Sequence, residues 1–167
     1  KKTIDVTALG ELLVDFTMNG QSEQGNQIFE ACPGGAPCNV LALLQKMGKK
    51  TAFIGKVGDD QFGKMLKATI EEAGIDASSL IFDTKVNTTL AFVHTFENGD
   101  RDFSFYRNPG ADMMLTATEV NEKTIKNSKI FHFGTLSMTA DGVREATKKA
   151  VKTARENGCL ISFDPNL

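Results

Sequence analysis

The sequence predicts an α/β fold, with a parallel sheet covered by helices on both faces and a small second sheet. Strand-like and helix-like patterns alternate along most of the chain, which is typical of parallel strands joined by helical crossovers. The middle of the chain departs from this alternation, because two alternating runs flank Asn98-Gly99, a strong β-hairpin signal. With 167 residues, 41% of them apolar and 24% charged, the chain can fold around a substantial hydrophobic core.

The first part of the chain predicts three strands and then a helix. The strands cover residues 4–9, 12–18 and 28–31. The helix starts near Pro37, whose missing N–H costs nothing in a first turn, and it stops before Gly48. Apolar residues spaced i, i+3, i+4 and i+7 predict its buried face, which comprises Val40, Leu43, Leu44 and Met47.

Two glycines, Gly34 and Gly35, directly precede this helix. A helix N-terminus gathers unpaired N–H groups and the positive end of the dipole, and glycine lets a ligand approach the backbone closely. Asn39 lies within about the first turn, off the apolar stripe, where it can brace the loop or hydrogen-bond a polar ligand. The glycines are therefore either part of a ligand-binding loop or an ordinary tight turn.

The next elements are a buried strand, a capped helix and the hairpin. The strand covers residues 51–58, and the hairpin strands cover residues 88–96 and 101–107. The helix runs from Asp60, which suits an N-cap, to Ala73, and Gly74 ends it. The phenylalanine-rich hairpin predicts a small antiparallel sheet apart from the main one, serving as packed core or as an apolar contact face.

The α/β alternation resumes after the hairpin. Residues 129–136 predict a strand, residues 139–157 a helix capped by Thr139, and residues 160–164 a further strand. The inner face of the helix carries small apolar residues, namely Val143, Ala146, Ala150 and Ala154. Gly158 ends the helix.

Charge and hydropathy argue against several classes of protein. The net charge is -2 and no basic stripe interleaves with aromatic residues, which argues against nucleic-acid binding. No apolar run approaches the roughly 18–20 residues that a membrane-spanning helix needs. Asp5, Glu11 and Asp15 would interrupt the apolar core of a signal peptide.

The cysteines Cys32, Cys38 and Cys159 are odd in number and lack CxxC spacing. We expect them to be reduced, structural thiols of a cytoplasmic protein. The alternative is a catalytic thiol at Cys38, because thiolates are favoured near a helix N-terminus. Neither His94 nor His132 is arranged in the sequence to pair with it.

Polar residues stand inside or directly after several predicted strands. Asp15 interrupts the apolar run LLVDF, and other polar positions follow strands, namely Gly58, Asp59, Asp60, Gly134, Thr135, Asp164 and Asn166. Ligands of open α/β sheets bind beyond the carboxyl ends of the strands, so these groups together predict a cleft for a polyhydroxylated ligand. Each has a structural alternative: Asp15 facing solvent, Asp60 capping a helix, or Asp164 holding a turn.

A series of segments, in this order along the chain, resembles the ribokinase/PfkB carbohydrate kinases. The segments are GELLVDF, PGGAPCNVLALLQKMG, GKVGDDQFG, FYRNPGADMML, FHFGTLSM and FDPNL. The resemblance covers essentially the whole chain, and the combination is highly specific although no single segment is. FYRNPGAD, FHFGTLSM and DPNL are most similar to fructokinases, and Ala36 stands where ribokinases typically carry a lysine.

The resemblance implies a ribokinase-like fold, with residues 1–167 forming the N-terminal part of one kinase domain. A β-sheet lid, from residues of about 12–18, 28–32 and 88–107, would cover the sugar and contribute to a homodimer. The implied reaction transfers the γ-phosphoryl group of ATP to a hydroxyl of fructose. Mg²⁺ would bind the phosphates, and a monovalent cation such as K⁺ would lie nearby.

The resemblance also implies roles for individual residues. Those that would bind sugar hydroxyls are Asp15, Gly34, Gly35 and Asn39. Arg107, at the end of the hairpin, would reach the substrate or help to close the lid over it. Asp164 would lie toward the phosphates and the metal, and Asn166 near the junction of substrate and nucleotide. Residues 58–60 would shape the loop beside the site.

One motif of the family is absent from these residues. The general base of the family is an aspartate in a segment of the type D-T-x-G-A-G-D, and we expect that segment beyond Leu167. Residues 1–167 alone are therefore expected not to catalyse. The alternatives are another kinase of the family, acting on ribose, 2-keto-3-deoxygluconate or a nucleoside, or a non-catalytic sugar-binding regulator. A dinucleotide-binding domain fits poorly, because no G-x-G-x-x-G follows the first strand.

Overall fold

A computed structural model describes residues 1–96 and 98–166 of the chain. The strands are β1 Ile4–Leu9, β2 Leu13–Gln21, β3 Gln27–Gly34, β4 Thr51–Gly58, β5 Asp76–Asp83, β6 Leu90–Thr95, β7 Arg101–Tyr106, β8 Ser128–Gly134 and β9 Leu160–Asp164. The α-helices are α1 Ala36–Lys46, α2 Gln61–Glu72, α3 Glu122–Lys126 and α4 Asp141–Glu156. Short 3₁₀ helices cover Ala111–Met114, Ala117–Glu119 and Thr135–Met138.

The main sheet is parallel throughout, with the strand order β5-β4-β1-β8-β9. β1 pairs with β4 on one side and β8 on the other, and Leu9 at its end faces Ile54 and Phe133. The chain order therefore reverses between β1 and β8. Such a switch point opens a crevice at the carboxyl ends of the strands, which is where α/β proteins bind ligands.

Two hydrophobic cores cover the two faces of this sheet. On one face, Val6 and Phe53 pack against Leu41 of α1 and Leu66 of α2. On the other face, Ile54 and Phe131 pack in a second cluster whose helical members include Ile125 of α3, Ala146 and Ala150. The predicted parallel sheet with helices on both faces is thereby confirmed, as are the inner face of α4 and the cap of α2 at Asp60.

The buried face of α1 differs from the prediction. Pro37, Cys38 and Leu41 are its buried residues, whereas Leu43 is 61% exposed and Met47 is 64% exposed. Two neighbouring stripes fit the helical period here, because Cys38 and Leu41 are spaced i, i+3 and Leu43 and Met47 are spaced i, i+4. Packing against β1 and β4 selects the stripe that begins with the small residues.

The second sheet is mixed rather than antiparallel, with the strand order β3-β2-β6-β7. β2 pairs in parallel with β6, while the β2–β3 and β6–β7 pairs are antiparallel. Both β2 and β6 follow strands of the main sheet and leave its carboxyl edge in the same direction, so they run side by side in parallel. β2 and β3 each extend beyond the predicted residues 12–18 and 28–32.

Two further local expectations differ from the structure. β5 was not expected from the sequence, because its serine-rich segment DASSLIFD carries only a weak strand pattern. Thr139 does not cap α4; the N-cap is Ala140, without a side-chain hydrogen bond, and the Thr139 hydroxyl donates to the carbonyl oxygen of Leu136. Across the described ranges, none of the helices has both the length and the hydropathy that a bilayer crossing requires.

Candidate functional site

Asp15 lies on one face of the second sheet, close to where β2 leaves the main sheet. It is paired with Cys32 of β3 and Ala91 of β6, so these three side chains share a face. Its carboxylate is half-buried, and burial raises the pKa of Asp15 above its ordinary value. A cavity of about 390 Å³ opens on this face, lined by Asp15, Thr17, Cys32, Val93, Thr95, Arg101 and Phe103.

The glycine pair allows the chain to pass close to two acidic residues. Gly34 ends β3, and a Cβ at this position would collide with Oδ2 of Asp15. Gly35 is the N-cap of α1 with φ of 122°, a conformation that L-residues rarely adopt, and a Cβ there would collide with the carbonyl oxygen of Glu11. The glycines therefore permit a close packing of β3 and α1 on the segment that joins β1 to β2.

Glu11 is a buried carboxylate that sequence analysis did not single out as a site residue. Glu11 is 3% exposed, and its Oε1 accepts a hydrogen bond from the N–H of Ala36, the first residue of α1, at 3.0 Å. Oε2 is buried and has no hydrogen-bond partner within the described residues. A lone acid in the apolar run ALGELLV is the signal that could have found it, just as LLVDF pointed to Asp15.

Glu11 should make stability depend on pH. Burial is the main cause that raises its pKa, and the charge of Asp112 adds to it while Arg107 opposes it. The folded state then binds this proton more tightly than the unfolded state, whose pKa is near 4.5. The stabilisation from this bound proton is complete below the unfolded-state pKa. It is lost as the pH rises through the folded-state pKa, and its size is about 1.4 kcal/mol for each unit by which the two pKa values differ.

We therefore expect Glu11→Gln to gain stability relative to the wild type as pH rises from 4.5 to 7.5. The glutamine oxygen can still accept the N–H of Ala36, so the cap bond survives. Urea unfolding of both proteins across this pH range measures the difference. The control is Glu156→Gln, an exposed carboxylate at the far end of α4, and parallel pH curves for wild type and Glu11→Gln would contradict the prediction.

Cys38, in the first turn of α1, is buried in the hydrophobic core, and burial raises the pKa of its thiol. The negative charge of Glu11 raises it further. These two effects disfavour a thiolate, so the alternative of a catalytic Cys38 loses its physical basis. All three cysteines are free thiols.

Asn39 is exposed in the first turn of α1. It lines a small groove beside that helix, together with Pro33 and Gly34. The groove continues between α1 and α2, where Ala42 and Ile70 line it, and it shares no lining residue with the cavity beside Asp15.

Arg107 follows β7, and its guanidinium is held by the body of the protein. Nε and Nη2 donate to Oδ2 of Asp112 at 2.9 and 2.8 Å, and Nη2 also donates to the carbonyl oxygen of Leu136. Nη1 donates to the hydroxyl of Thr139 at 3.1 Å. The side chain is 11% exposed, so most of its donors face protein rather than the cleft.

Asp164 and Asn166 lie at the end of the described chain, beyond β9. Asp164 pairs with Gly134 at the carboxyl ends of β8 and β9, and its Oδ1 accepts the N–H of Asn166 at 2.8 Å. The carbonyl oxygen of Pro165 accepts a hydrogen bond from the Thr135 hydroxyl. Both Asp164 and Asn166 are exposed at the same edge as the glycine loop, whereas Leu167 lies outside the described residues.

Asp60 ties the end of β4 to the start of the second sheet. Oδ1 accepts the N–H of Gly63 as the α2 cap, and Oδ2 accepts the N–H of Thr88, both at 2.8 Å. Burial alone would raise the pKa of Asp60, but the hydrogen bonds from Thr88 and Gly63 outweigh it and lower the pKa. Asp59 beside it is exposed, with Lys64 3.7 Å away. These contacts agree with the loop-shaping interpretation of residues 58–60.

Replacing Asp60 with alanine should lower the free energy of unfolding by about 2–3 kcal/mol, since the cap and the bonds to Thr88 are lost. Because the pKa is lowered, this stabilisation is present above the unfolded pKa near 3.8 and is lost as pH falls through the folded value. Urea unfolding at pH 7 measures the effect. Asp76→Ala, which removes one exposed bond to Ser78, is the control, and equal losses would contradict the prediction.

The site offers few groups to a metal ion. The described residues contain no group of three or more His, Cys, Asp or Glu side chains that could hold one. A Mg²⁺ ion bound to a nucleotide usually needs only one or two carboxylates, because phosphates and water supply the rest. Asp164, exposed at the carboxyl end of β9, fits that requirement.

The sequence and the fold are both similar to known proteins. A family model described as pfkB family carbohydrate kinase matches residues 3–167. Fructokinase-1 from Zea mays is 45% identical over 164 residues, which are 97% of this chain and 51% of that protein. The chain therefore spans about half the length of the curated relatives it matches.

Solved structures agree with this similarity. A fructokinase with bound ATP from Xylella fastidiosa has a TM-score of 0.92 at 32% identity, covering 100% of this chain and 53% of that one. A putative ribokinase II in complex with ATP and Mg²⁺ from E. coli has a TM-score of 0.89 at 32% identity, covering 98% of this chain and 53% of that one. The main sheet and the second sheet are therefore an arrangement that these proteins share.

Proposed function

Because the chain belongs to the pfkB family of carbohydrate kinases, we propose that the whole protein transfers the γ-phosphoryl group of ATP to a hydroxyl of fructose. The family resemblance and the ribokinase-like fold expected from the sequence are confirmed. The observation that carries the proposal is the half-buried carboxylate of Asp15, set against Gly34 at the start of a helix. The similarity to fructokinases over 97% of the chain, second sheet included, supports fructose as the sugar.

The sugar would bind between the second sheet and the crevice of the main sheet. In this proposal Asp15 accepts hydrogen bonds from sugar hydroxyls, and Asn39 both donates and accepts. Gly34 and Gly35 let the ring lie close to the backbone. The N–H of Ala36 already donates to Glu11, so in this proposal that amide does not bind the sugar, and the carboxylate of Asp15 makes the charged contact.

The second sheet would act as a lid over the bound sugar. A closed lid excludes water, which otherwise competes with the sugar hydroxyl for the phosphoryl group. Arg107 lies where this lid joins the rest of the protein. Because its guanidinium is bound to Asp112, we favour a role in closing the lid over direct contact with the sugar. The exposed Phe103 and Phe105 on the lid support its use as a homodimer contact, which size-exclusion chromatography with light scattering tests.

The nucleotide would lie at the other end of the crevice. Asp164 would face the phosphates and their Mg²⁺, and Asn166 would lie between sugar and nucleotide. Mg²⁺ on ATP neutralises charge on the transferring group. In this proposal, the general base lies outside these residues. The reaction requires K⁺ as a monovalent cation, and the protein acts in the cytoplasm, where ATP is abundant.

A substrate panel on the whole protein tests this function. With ATP and Mg²⁺ present, fructose should give a higher kcat/KM than ribose, 2-keto-3-deoxygluconate or a nucleoside, and K⁺ can be added or omitted. Preference for another of these substrates would overturn the assignment to fructose. Sugar binding with no turnover on any of them would support a regulator instead. Residues 1–167 alone should bind fructose weakly and give no turnover.

A further inference from the structure

Both ends of the hairpin β6–β7 converge on one buried carboxylate, that of Asp112. Thr89 directly precedes β6, and its hydroxyl donates to Oδ1 of Asp112 at 2.5 Å. Arg107 directly follows β7 and donates to both oxygens of the same carboxylate. The Asp112 side chain is only 2% exposed. One residue therefore holds the two points at which the hairpin joins the rest of the molecule.

Asp112 itself is fixed to the body of the protein. It lies in the 3₁₀ helix Ala111–Met114, whose first N–H donates to the carbonyl oxygen of Asn87 at 2.9 Å. Ala111 is fully buried, and Leu115 directly after this helix belongs to the core cluster that contains Ala146 of α4. A Cβ at Gly110 would collide with the hydroxyl of Thr89, so the chain is closely packed on both sides of the carboxylate.

Arg107 connects this point to the turn after β8. It donates to the carbonyl oxygen of Leu136 and to the hydroxyl of Thr139, both at 3.1 Å. Thr135 in the same turn bonds the carbonyl oxygen of Pro165, between Asp164 and Asn166. A bidentate arginine–carboxylate pair is directional as well as strong, so it fixes an orientation and not only a distance.

We propose that Asp112 and Arg107 are positioning residues of the kinase, which set the angle of hairpin β6–β7 over the sugar through the bonds from Thr89 and Arg107. This proposal rests on the proposed function. A hairpin that is loose at its root would bind sugar poorly and admit water to the phosphoryl group. The water oxygen then bonds to the γ-phosphorus, the bond from phosphorus to the ADP oxygen breaks, and a proton passes to solvent, giving ADP and inorganic phosphate.

The test compares Asp112→Asn with the wild type in the whole protein. Asparagine keeps an oxygen for Thr89 but loses the charge that holds Arg107. We expect KM for fructose to rise roughly tenfold, KM for ATP to change less than about twofold, and ADP formed per fructose phosphorylated to rise above one. Thr89→Val should shift the same quantities less, and Thr89→Ser should restore them because it keeps the hydroxyl.

Glu119→Gln is the matched control, because it breaks another charge pair of the body. Glu119 accepts from Lys56 at 2.9 Å, and Lys56 keeps Asp83 as a partner 3.6 Å away when Glu119 is changed. This variant should lose stability without any change in the fructose KM or in the ratio of ADP to product. If Asp112→Asn behaves like Glu119→Gln in both quantities, the positioning role is overturned.

Hydrogen exchange gives a readout that needs no activity. In Asp112→Asn the amides of β6 and β7 should exchange faster than in the wild type, whereas those of β1 and β4 should exchange at the wild-type rate. Glu119→Gln should leave the exchange rates of the hairpin amides unchanged. Should Asp112→Asn fail to fold, Thr89→Val serves for both measurements. A wild-type protein without sugar phosphorylation would refute the proposed function, whereas unchanged hairpin exchange in these variants would refute the positioning role.

Discussion

Replacing Asp15 with alanine is expected to lower kcat/KM for fructose by roughly 10²–10³-fold. A hydrogen bond from a neutral hydroxyl to a charged acceptor contributes about 1.5–3 kcal/mol, and a sugar presents more than one hydroxyl to this carboxylate. Asp15→Asn keeps the shape and one acceptor oxygen, so its loss should be smaller, about tenfold. Steady-state kinetics with fructose and ATP varied separately measures both, and KM for ATP should stay nearly constant.

Unfolding measurements distinguish a loss of sugar binding in the Asp15 variants from misfolding. Burial raises the pKa of Asp15, so the ionised side chain is a cost to the folded state at neutral pH and its removal should not destabilise the fold. Asp15→Asn should therefore unfold at the same or a higher urea concentration than the wild type at pH 7. Glu156→Gln provides the kinetic control. Full activity of Asp15→Ala would remove this residue from the sugar site.

Gly35→Ala is expected to lower the free energy of unfolding by about 3 kcal/mol and to weaken fructose binding. The loss has two physical sources. Gly35 has φ of 122°, which alanine adopts only with strain, and its Cβ would meet the carbonyl oxygen of Glu11. Relief of that collision would push α1 away from the segment between β1 and β2, and with it the surroundings of Asp15. Urea unfolding and a fructose KM measurement on one preparation follow both effects.

Gly48 provides a matched control for the strain term. It also has positive φ, of 76°, but a Cβ there would have open space around it. Gly48→Ala should therefore lose only about 1 kcal/mol and keep the wild-type KM for fructose. Equal losses from the two alanine variants would show that backbone strain alone, and not the packing on Glu11, makes Gly35 necessary.

Local sequence signals predicted the elements whose chemistry is local. Asp60 as the cap of α2 and the small residues on the inner face of α4 depend on neighbours within one or two helical turns. The buried face of α1 depends instead on which stripe meets β1 and β4, and Leu43 and Met47 are exposed because that choice is made by distant residues. The cap expected at Thr139 was wrong because its hydroxyl donates to the nearby carbonyl oxygen of Leu136 and accepts from the distant Arg107.

The residues of the candidate site also divide into those visible in the local sequence and those that depend on distant contacts. Asp15 and the glycine pair were found because a charge in an apolar strand and glycines before a helix are visible in sequence. Asp112 was not found, although it too is an acid in an apolar segment, because its importance comes from Thr89 and Arg107, which reach it from opposite ends of a hairpin. Periodicity cannot show which residues a hairpin brings together at its base.

The parallel pair β2–β6 has a consequence for how the molecule assembles. Val14 pairs with Leu90, and the two halves of the second sheet, which come from distant parts of the chain, are joined by the hydrogen bonds between β2 and β6. Closing so long a loop lowers the chain entropy before the strand contacts that compensate for it can form. Non-local pairings are therefore slow to form during folding. We therefore expect the local hairpins β2–β3 and β6–β7 to form before the long-range pair that joins them into one sheet.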